Sequence, residues 1–328
     1  MIQLNLPSFS DSKEHLFCDQ VEIYLAFFHQ DDSISKCDIQ ALVDKEVDSI
    51  SGASDDSEET IYSELGQVDS VESDIVIEGK AAICYSHIEG RCESFGEFYP
   101  FSLDDGRVIK PETFTDKQRL YLFLLQSSSL NLIDQKSDSL ILANKFESIC
   151  AKGVSNWLIG SEVREFGPTS EDRRTIFGSN TRNALVQLAS FINATPQRST
   201  IFKKRVSGEY QVHTSGDKGL DIVARLPFVN DSALGAFSIL GQCASRKEHW
   251  WHKKYEADPI ELDTYMHFNN KPLNMVFIPV CFRDSDGSWY DEGKASGGCL
   301  VVDRVRLCSM FCTYEGGFDF LPELASAA

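Results

Sequence analysis

The chain has 328 residues, a 42% hydrophobic content, ten cysteines and a formal net charge of −19. That apolar share is enough for a real core, and the length fits two domains or one large one. The charge argues against an indiscriminate nucleic-acid binder, because phosphate contact is mainly electrostatic. No apolar run approaches the ~20 residues a membrane span needs, so no membrane association is expected.

The start, Met1-Ile2-Gln3-Leu4-Asn5-Leu6-Pro7, lacks the basic flank and long apolar run of an export signal. The scattered cysteines then read as reduced thiols of a cytoplasmic protein. Cys308 and Cys312 could be half a zinc site, but no second Cys or His pair accompanies them. His15 to His29 reads as an apolar helix broken by Asp31-Asp32-Ser33, and Asp38 is a candidate cap for a second helix through Lys45. Two short helices around a sharp turn raise a helix-turn-helix reading. Asp38, Asp44 and Glu46 stand where a recognition helix carries Arg or Lys, which favours packing or partner binding. Residues 49–60, rich in Ser, Asp and Glu, read as an exposed loop within an acidic stretch from Asp44 to Glu78. Ile75–Tyr85 and Cys92–Ser102, with Gly90 between them, predict a small β-element. Tyr121–Leu125 is an apolar segment near the end of this first region.

A new helix begins near Ser137–Leu140 and carries Phe146, Ile149, Cys150 and Val154 at helical spacing. Gly160–Phe177 reads as a polar connection and Asn180–Ile192 as a helix. Tyr210–His213 reads as a hairpin strand, preceded by the basic cluster Arg198, Lys203, Lys204 and Arg205. Gly216-Asp217-Lys218-Gly219-Leu220-Asp221-Ile222-Val223-Ala224 is a turn entering a strand, with Asp221 opposite the face of Leu220 and Ile222. Phe237–Cys243 is a buried-type strand with Gln242 near its end. A strand-borne carboxylate and an amide on a neighbouring strand can converge as hard oxygen ligands for Mg²⁺. Trp250-Trp251 reads first as core and second as a base-stacking pair. Ile260–Phe268 reads as a helix, and Asn274–Phe282 and Cys299–Cys308 as strands. Asp284-Ser285-Asp286-Gly287 reads as a turn, and Phe318–Leu324 as an apolar tail able to dock on a partner.

The Gly-Asp-Lys-Gly-Leu-Asp turn, followed in order by the strand carrying Gln242, resembles the PD-(D/E)xK nuclease superfamily. The turn is similar to the Asp motif of Mrr-like restriction endonucleases, in the variant where Gln replaces the second acid. The resemblance spans roughly residues 140–310. It departs at Ala244, where the family lysine would fall, so a displaced lysine is expected among Lys247, Lys253 and Lys254. The resemblance implies an α/β fold, with a restriction-endonuclease-like mixed central sheet flanked by helices over residues 137–328. An N-terminal, mostly helical α+β accessory or partner-binding domain would occupy residues 1–136.

It further implies a metal-dependent endonuclease acting on the phosphodiester bonds of a nucleic acid, DNA first, within a bacterial anti-phage or restriction system. Asp221, Glu147 and Gln242 would bind Mg²⁺ or Mn²⁺, and one of the three lysines would steer the attacking water. Glu162 and Glu165 are rivals to Glu147. A partner protein or a second copy of the chain would regulate activity. An inactive nuclease-fold scaffold subunit and a helix-turn-helix regulator are the alternatives.

Overall fold

The computed structural model describes residues 2–9, 13–51, 70–202, 219–230, 235–245 and 250–327, with backbone alone for 44–51 and 70–77. The expected Tyr210–His213 strand, residues 52–60 of the expected loop, and the basic residues Lys203, Lys204, Arg205, Arg246 and Lys247 lie outside the described residues. The molecule is a mixed α/β protein, and among the described residues no helix is long and apolar enough to cross a membrane. All ten cysteines are free. Cys308 is buried and Cys312 exposed.

The N-terminal region is mostly helical. Helix α1 (Glu14–Ile23) continues as a π-helical turn, Tyr24–Phe28. Strand Ser33–Ser35 then separates it from α2 (Lys36–Ser51), so no tight helix-turn-helix corner forms. Asp38 does serve the start of α2, but as half of a reciprocal pair. The Ser35 N–H donates to Asp38 Oδ2 (2.8 Å) and the Asp38 N–H donates to Ser35 Oγ (3.2 Å).

Where strands are expected over Ile75–Tyr85 and from Cys92, only Ser102, at the end of the expected element, begins a strand, and one helix, α3 (Ser70–Phe95), runs instead. Its buried Ala81, Cys84, Ile88, Arg91 and Phe95 recur at three- and four-residue steps, a helical period that overrides the local β-branched run. Gly90 is not a turn. It sits in the helix where a Cβ would fall 2.0 Å from the Ser285 carbonyl oxygen, so its bare Cα admits the Asp284–Gly287 turn. Helix α4 (Asp116–Ser127), begun by a Thr115–Gln118 capping box, buries Leu120–Leu125 on every side.

The central sheet has five strands. In chain order these are β1 (Glu162–Glu165), β2 (Ile222–Leu226), β3 (Phe237–Cys243), β4 (Leu273–Phe277) and β5 (Leu300–Val302), and they lie side by side in that order. β2 is antiparallel to both neighbours, while β3, β4 and β5 run parallel. Helix α5 (Lys136–Trp157) covers one face, with Phe146, Ile149 and Cys150 in one cluster with Ile222, Ile239 and Phe277. Helix α6 (Thr181–Phe191) covers the other, with Leu185 and Leu188 in a cluster with Val223 and Leu240.

β1 is the strand hidden in the expected polar connection. Its Glu-Val-Arg-Glu is an edge strand with every residue half-buried, so it carries no apolar run. The strand expected over 299–308 ends at Val302, and Arg304–Ser309 is a helix capped by Asp303. The segment expected to be helical over 260–268 is a short helix, Pro259–Asp263, followed by the strand Met266–His267, which pairs with Thr195–Pro196. Trp250 is core, edge-on to Phe282 at 5.0 Å. The apolar tail lies on the chain's own core, with Phe318 and Phe320 each about one ring away from Phe311.

Residues on both sides of position 136 share one core cluster. They also share a buried charge network. Arg304, fully buried, donates to both oxygens of Asp19 (3.1 and 2.8 Å), to the Tyr121 hydroxyl and to the Pro279 carbonyl. Arg91 pairs with Asp19 and Glu22 (2.8 Å each), and Tyr99 and Tyr121 donate to Glu22 (2.6 Å each). Buried charges are tolerable only with such pairing.

Candidate active site

Asp221 stands immediately before β2 and is held by both neighbouring strands. Its N–H donates to the Gly241 carbonyl (2.9 Å), and its carbonyl accepts from the N–H groups of Phe166 (2.6 Å) and Gly167 (3.3 Å). Its Oδ2 accepts from the Cys243 N–H (2.7 Å). The β3 groups that bind Asp221 therefore flank Gln242 on either side. The acid and the amide are brought together by strand pairing, as their order in the sequence suggests.

Glu147 reaches the same place from α5. A Cβ placed on Gly167 would lie 2.9 Å from Glu147 Oε2 and 3.9 Å from Asp221 Oδ1, so both carboxylates face the bare Cα of Gly167. Of the rivals, Glu162 is engaged at the far end of β2, accepting from the Arg225 guanidinium (2.9 Å). Glu165 lies on β1 beside Ile222.

Gln242 is 5% exposed, and its Oε1 is buried without a hydrogen-bond partner. That oxygen faces Gly219, whose Cβ would lie 2.9 Å from it. Gly219 has φ +72°, a left-handed conformation that glycine adopts without penalty. Leaving a buried carbonyl oxygen unpaired costs roughly 1–3 kcal/mol, so such an atom calls for an explanation.

Two thiols sit behind the carboxylates. Cys150, one turn after Glu147, shares a hydrogen bond with Cys243, and burial first of all pushes both thiols above their ordinary range. Thiols so placed stay protonated.

The three candidate lysines separate. Lys247 lies outside the described residues. Lys254 is 3% exposed, and its ammonium donates to the carbonyls of Lys294 (2.6 Å) and Ser296 (2.5 Å). Burial lowers its pKa from the ordinary 10.5. Lys253 pairs with Glu256 (2.7 Å), and Glu256 Cβ would be 2.4 Å from a Cβ on Gly219. Lys253 is thereby tied to a residue that borders the same glycine as Gln242. Ala244, at the family's lysine position, is buried and pairs its N–H with the Phe277 carbonyl (2.9 Å).

Among the described residues no three His, Cys, Asp or Glu side chains form a ready metal cage. The set assembled here is two carboxylates and an amide. Its hard oxygens suit Mg²⁺ or Mn²⁺ rather than a soft metal, and the orphaned Gln242 oxygen fits a role as ligand. Glu256 and Gly167 were not singled out by sequence reasoning. Glu256 follows a basic run with no motif of its own, and Gly167 carries no signal beyond Gly-Pro punctuation. No family model, curated protein or solved structure matches the chain.

Proposed function

We propose that the protein is a metal-dependent nuclease of restriction-endonuclease-like fold, cleaving phosphodiester bonds of DNA. The observation that carries this reading is the buried, unpartnered Gln242 Oε1 beside Asp221, with Glu147 facing the same end of the sheet. The mixed sheet with helices on both faces, and Asp221 at the entry to β2 beside Gln242 on β3, also support it.

Asp221 and Glu147 would hold Mg²⁺ or Mn²⁺, and Gln242 would complete the set through its amide oxygen. Such an ion supplies Lewis-acid polarisation of the phosphate and lowers the pKa of bound water. Asp221 is oriented for this by the Cys243 N–H, which fixes Oδ2 and aims Oδ1 toward Gly167 and Glu147. Lys253, once released from Glu256, is the described lysine best placed to steady charge on the phosphate. As an anti-phage or restriction effector, the protein would use residues 1–136 to engage a partner protein or a second copy.

A second reading, an inactive nuclease-fold scaffold, is favoured by Ala244, which fills the lysine position with core. Titration of the full chain with Mn²⁺ by calorimetry separates the two. The nuclease reading predicts a site abolished by Asp221→Ala and weakened by Glu147→Gln. Absence of binding, or binding indifferent to Asp221, would favour the scaffold.

A further inference from the structure

From Arg173 to Gly208 the chain contains seven Arg or Lys residues and no Asp or Glu, within a protein of net charge −19. The described part of this acid-free stretch folds around a surface pocket of about 380 Å³, on the α6 side of the central sheet. Arg174 and Phe177 of the turn Arg173–Phe177 line it. Asn183 and Gln187, one turn apart on α6, also line it, as do Arg198 and Phe202. Among the described residues, no acidic side chain lines the pocket.

We infer that this pocket binds a nucleoside phosphate, either free or as one unit of a nucleic-acid strand. Two guanidinium groups suit a phosphate, for which Arg offers planar, bidentate donors. Asn183 and Gln187 present amide donors and acceptors at i and i+4, matched to the edge of a base. Phe202, 43% exposed, offers a face for stacking. A volume of this order lies in the range of small-molecule sites and fits one nucleotide rather than a longer segment.

The pocket also adjoins the carboxylate site. Phe177 meets Phe166 edge-on at 5.0 Å, and the Phe166 N–H holds the Asp221 carbonyl at 2.6 Å. A strand anchored at the arginines would thus be held one ring contact away from the Asp221 backbone. The strand form of the inference rests on the nuclease reading; the binding itself does not.

The test is fluorescence anisotropy in EDTA with a labelled 20-nucleotide single-stranded DNA, with unlabelled AMP as competitor. The full chain is compared with the double variant Arg174→Ala/Arg198→Ala, with Phe202→Ala, and with Arg119→Ala as a control. Arg119 is half-buried, and its guanidinium pairs with Asp116 in its own helix. Thermal melts confirm that each variant folds. The double variant is expected to bind at least tenfold more weakly, with a salt slope about 1.4 smaller for two lost single-strand phosphate contacts. Phe202→Ala is expected to lose roughly tenfold, and Arg119→Ala to match wild type.

Competition by AMP assigns the pocket to free nucleoside phosphates, and binding of the oligonucleotide alone assigns it to a strand; both support the inference. Affinity in the double variant within twofold of wild type, or no binding of either probe by wild type, overturns it. Arginine-dependent binding by a chain that never cleaves would sink the nuclease reading alone. Cleavage by a chain whose double variant binds normally would sink this inference alone.

Discussion

The unpartnered oxygen of Gln242 makes a prediction whose sign depends on whether a cation belongs there. Gln242→Met keeps an unbranched side chain of similar length and removes the buried carbonyl oxygen. Without metal, the native protein carries the desolvation cost of that oxygen, roughly 1–3 kcal/mol. The Met variant should therefore be more stable than wild type in EDTA, by up to that amount. At ~2–4 °C per kcal/mol, the melting temperature should rise by several degrees.

With Mn²⁺ present the order should change. At 100-fold excess over Kd a ligand stabilises the native state by about 2.7 kcal/mol, and the Met variant should forfeit much of that gain. Differential scanning fluorimetry of both proteins, in EDTA and across a Mn²⁺ series, reads both effects. A Met variant less stable than wild type in EDTA would show that the oxygen is already satisfied. A Met variant with the full Mn²⁺ shift would show that Gln242 is not a ligand.

Three further outcomes follow from the packing. Arg304→Met should destabilise the chain by about 3–5 kcal/mol in urea melts, because it leaves Asp19 in the core with Arg91 and the Ser128 hydroxyl as its remaining partners. An effect under 1 kcal/mol would mean that the network is dispensable. Gly90→Ala should destabilise by ~1–3 kcal/mol despite the better helix propensity of alanine, since the added Cβ meets the Ser285 backbone and not a movable side chain. A stabilised variant would mean that the Ser285 turn simply shifts. Asp38→Asn should weaken the start of α2 near neutral pH. The Ser35 hydroxyl, then its N–H, lowers the Asp38 pKa below the ordinary 3.8, so its stabilising effect is complete above that value and is lost as pH falls through the lowered one. The difference between wild type and Asp38→Asn should vanish in strong acid, and an effect that persists there would refute the ionic capping.

Much of the sheet was legible because its strands are buried on both faces and so read as uninterrupted apolar runs. Phe237–Cys243 begins and ends where the sequence places it, and α6 needs only one residue trimmed at each end. The convergence of Asp221 with Gln242 was legible too, since Asp221 leads into one strand and Gln242 lies on the next. β1 was not, because an edge strand with a charged sequence carries no hydrophobic period. α3 was misread because its local β-branched residues and Gly90 suggest strand and turn. The charged Arg91 interrupts the apolar stripe from Ala81 to Phe95, and the close approach of Ser285 comes from a part of the chain that local reading does not connect. The fate of the lysines could not be read either. Adjacent in sequence, Lys253 turns to Glu256 and Lys254 to the carbonyls of residues 294 and 296.

Metal-dependent cleavage through Asp221 is read by incubating supercoiled plasmid and single-stranded DNA with the purified chain in Mg²⁺ or Mn²⁺, beside Asp221→Ala and an EDTA control. The expected result is nicked or linear product that requires the metal and disappears in Asp221→Ala. Cleavage that survives Asp221→Ala, or no Asp221-dependent cleavage by a chain that also fails to bind Mn²⁺, would contradict it.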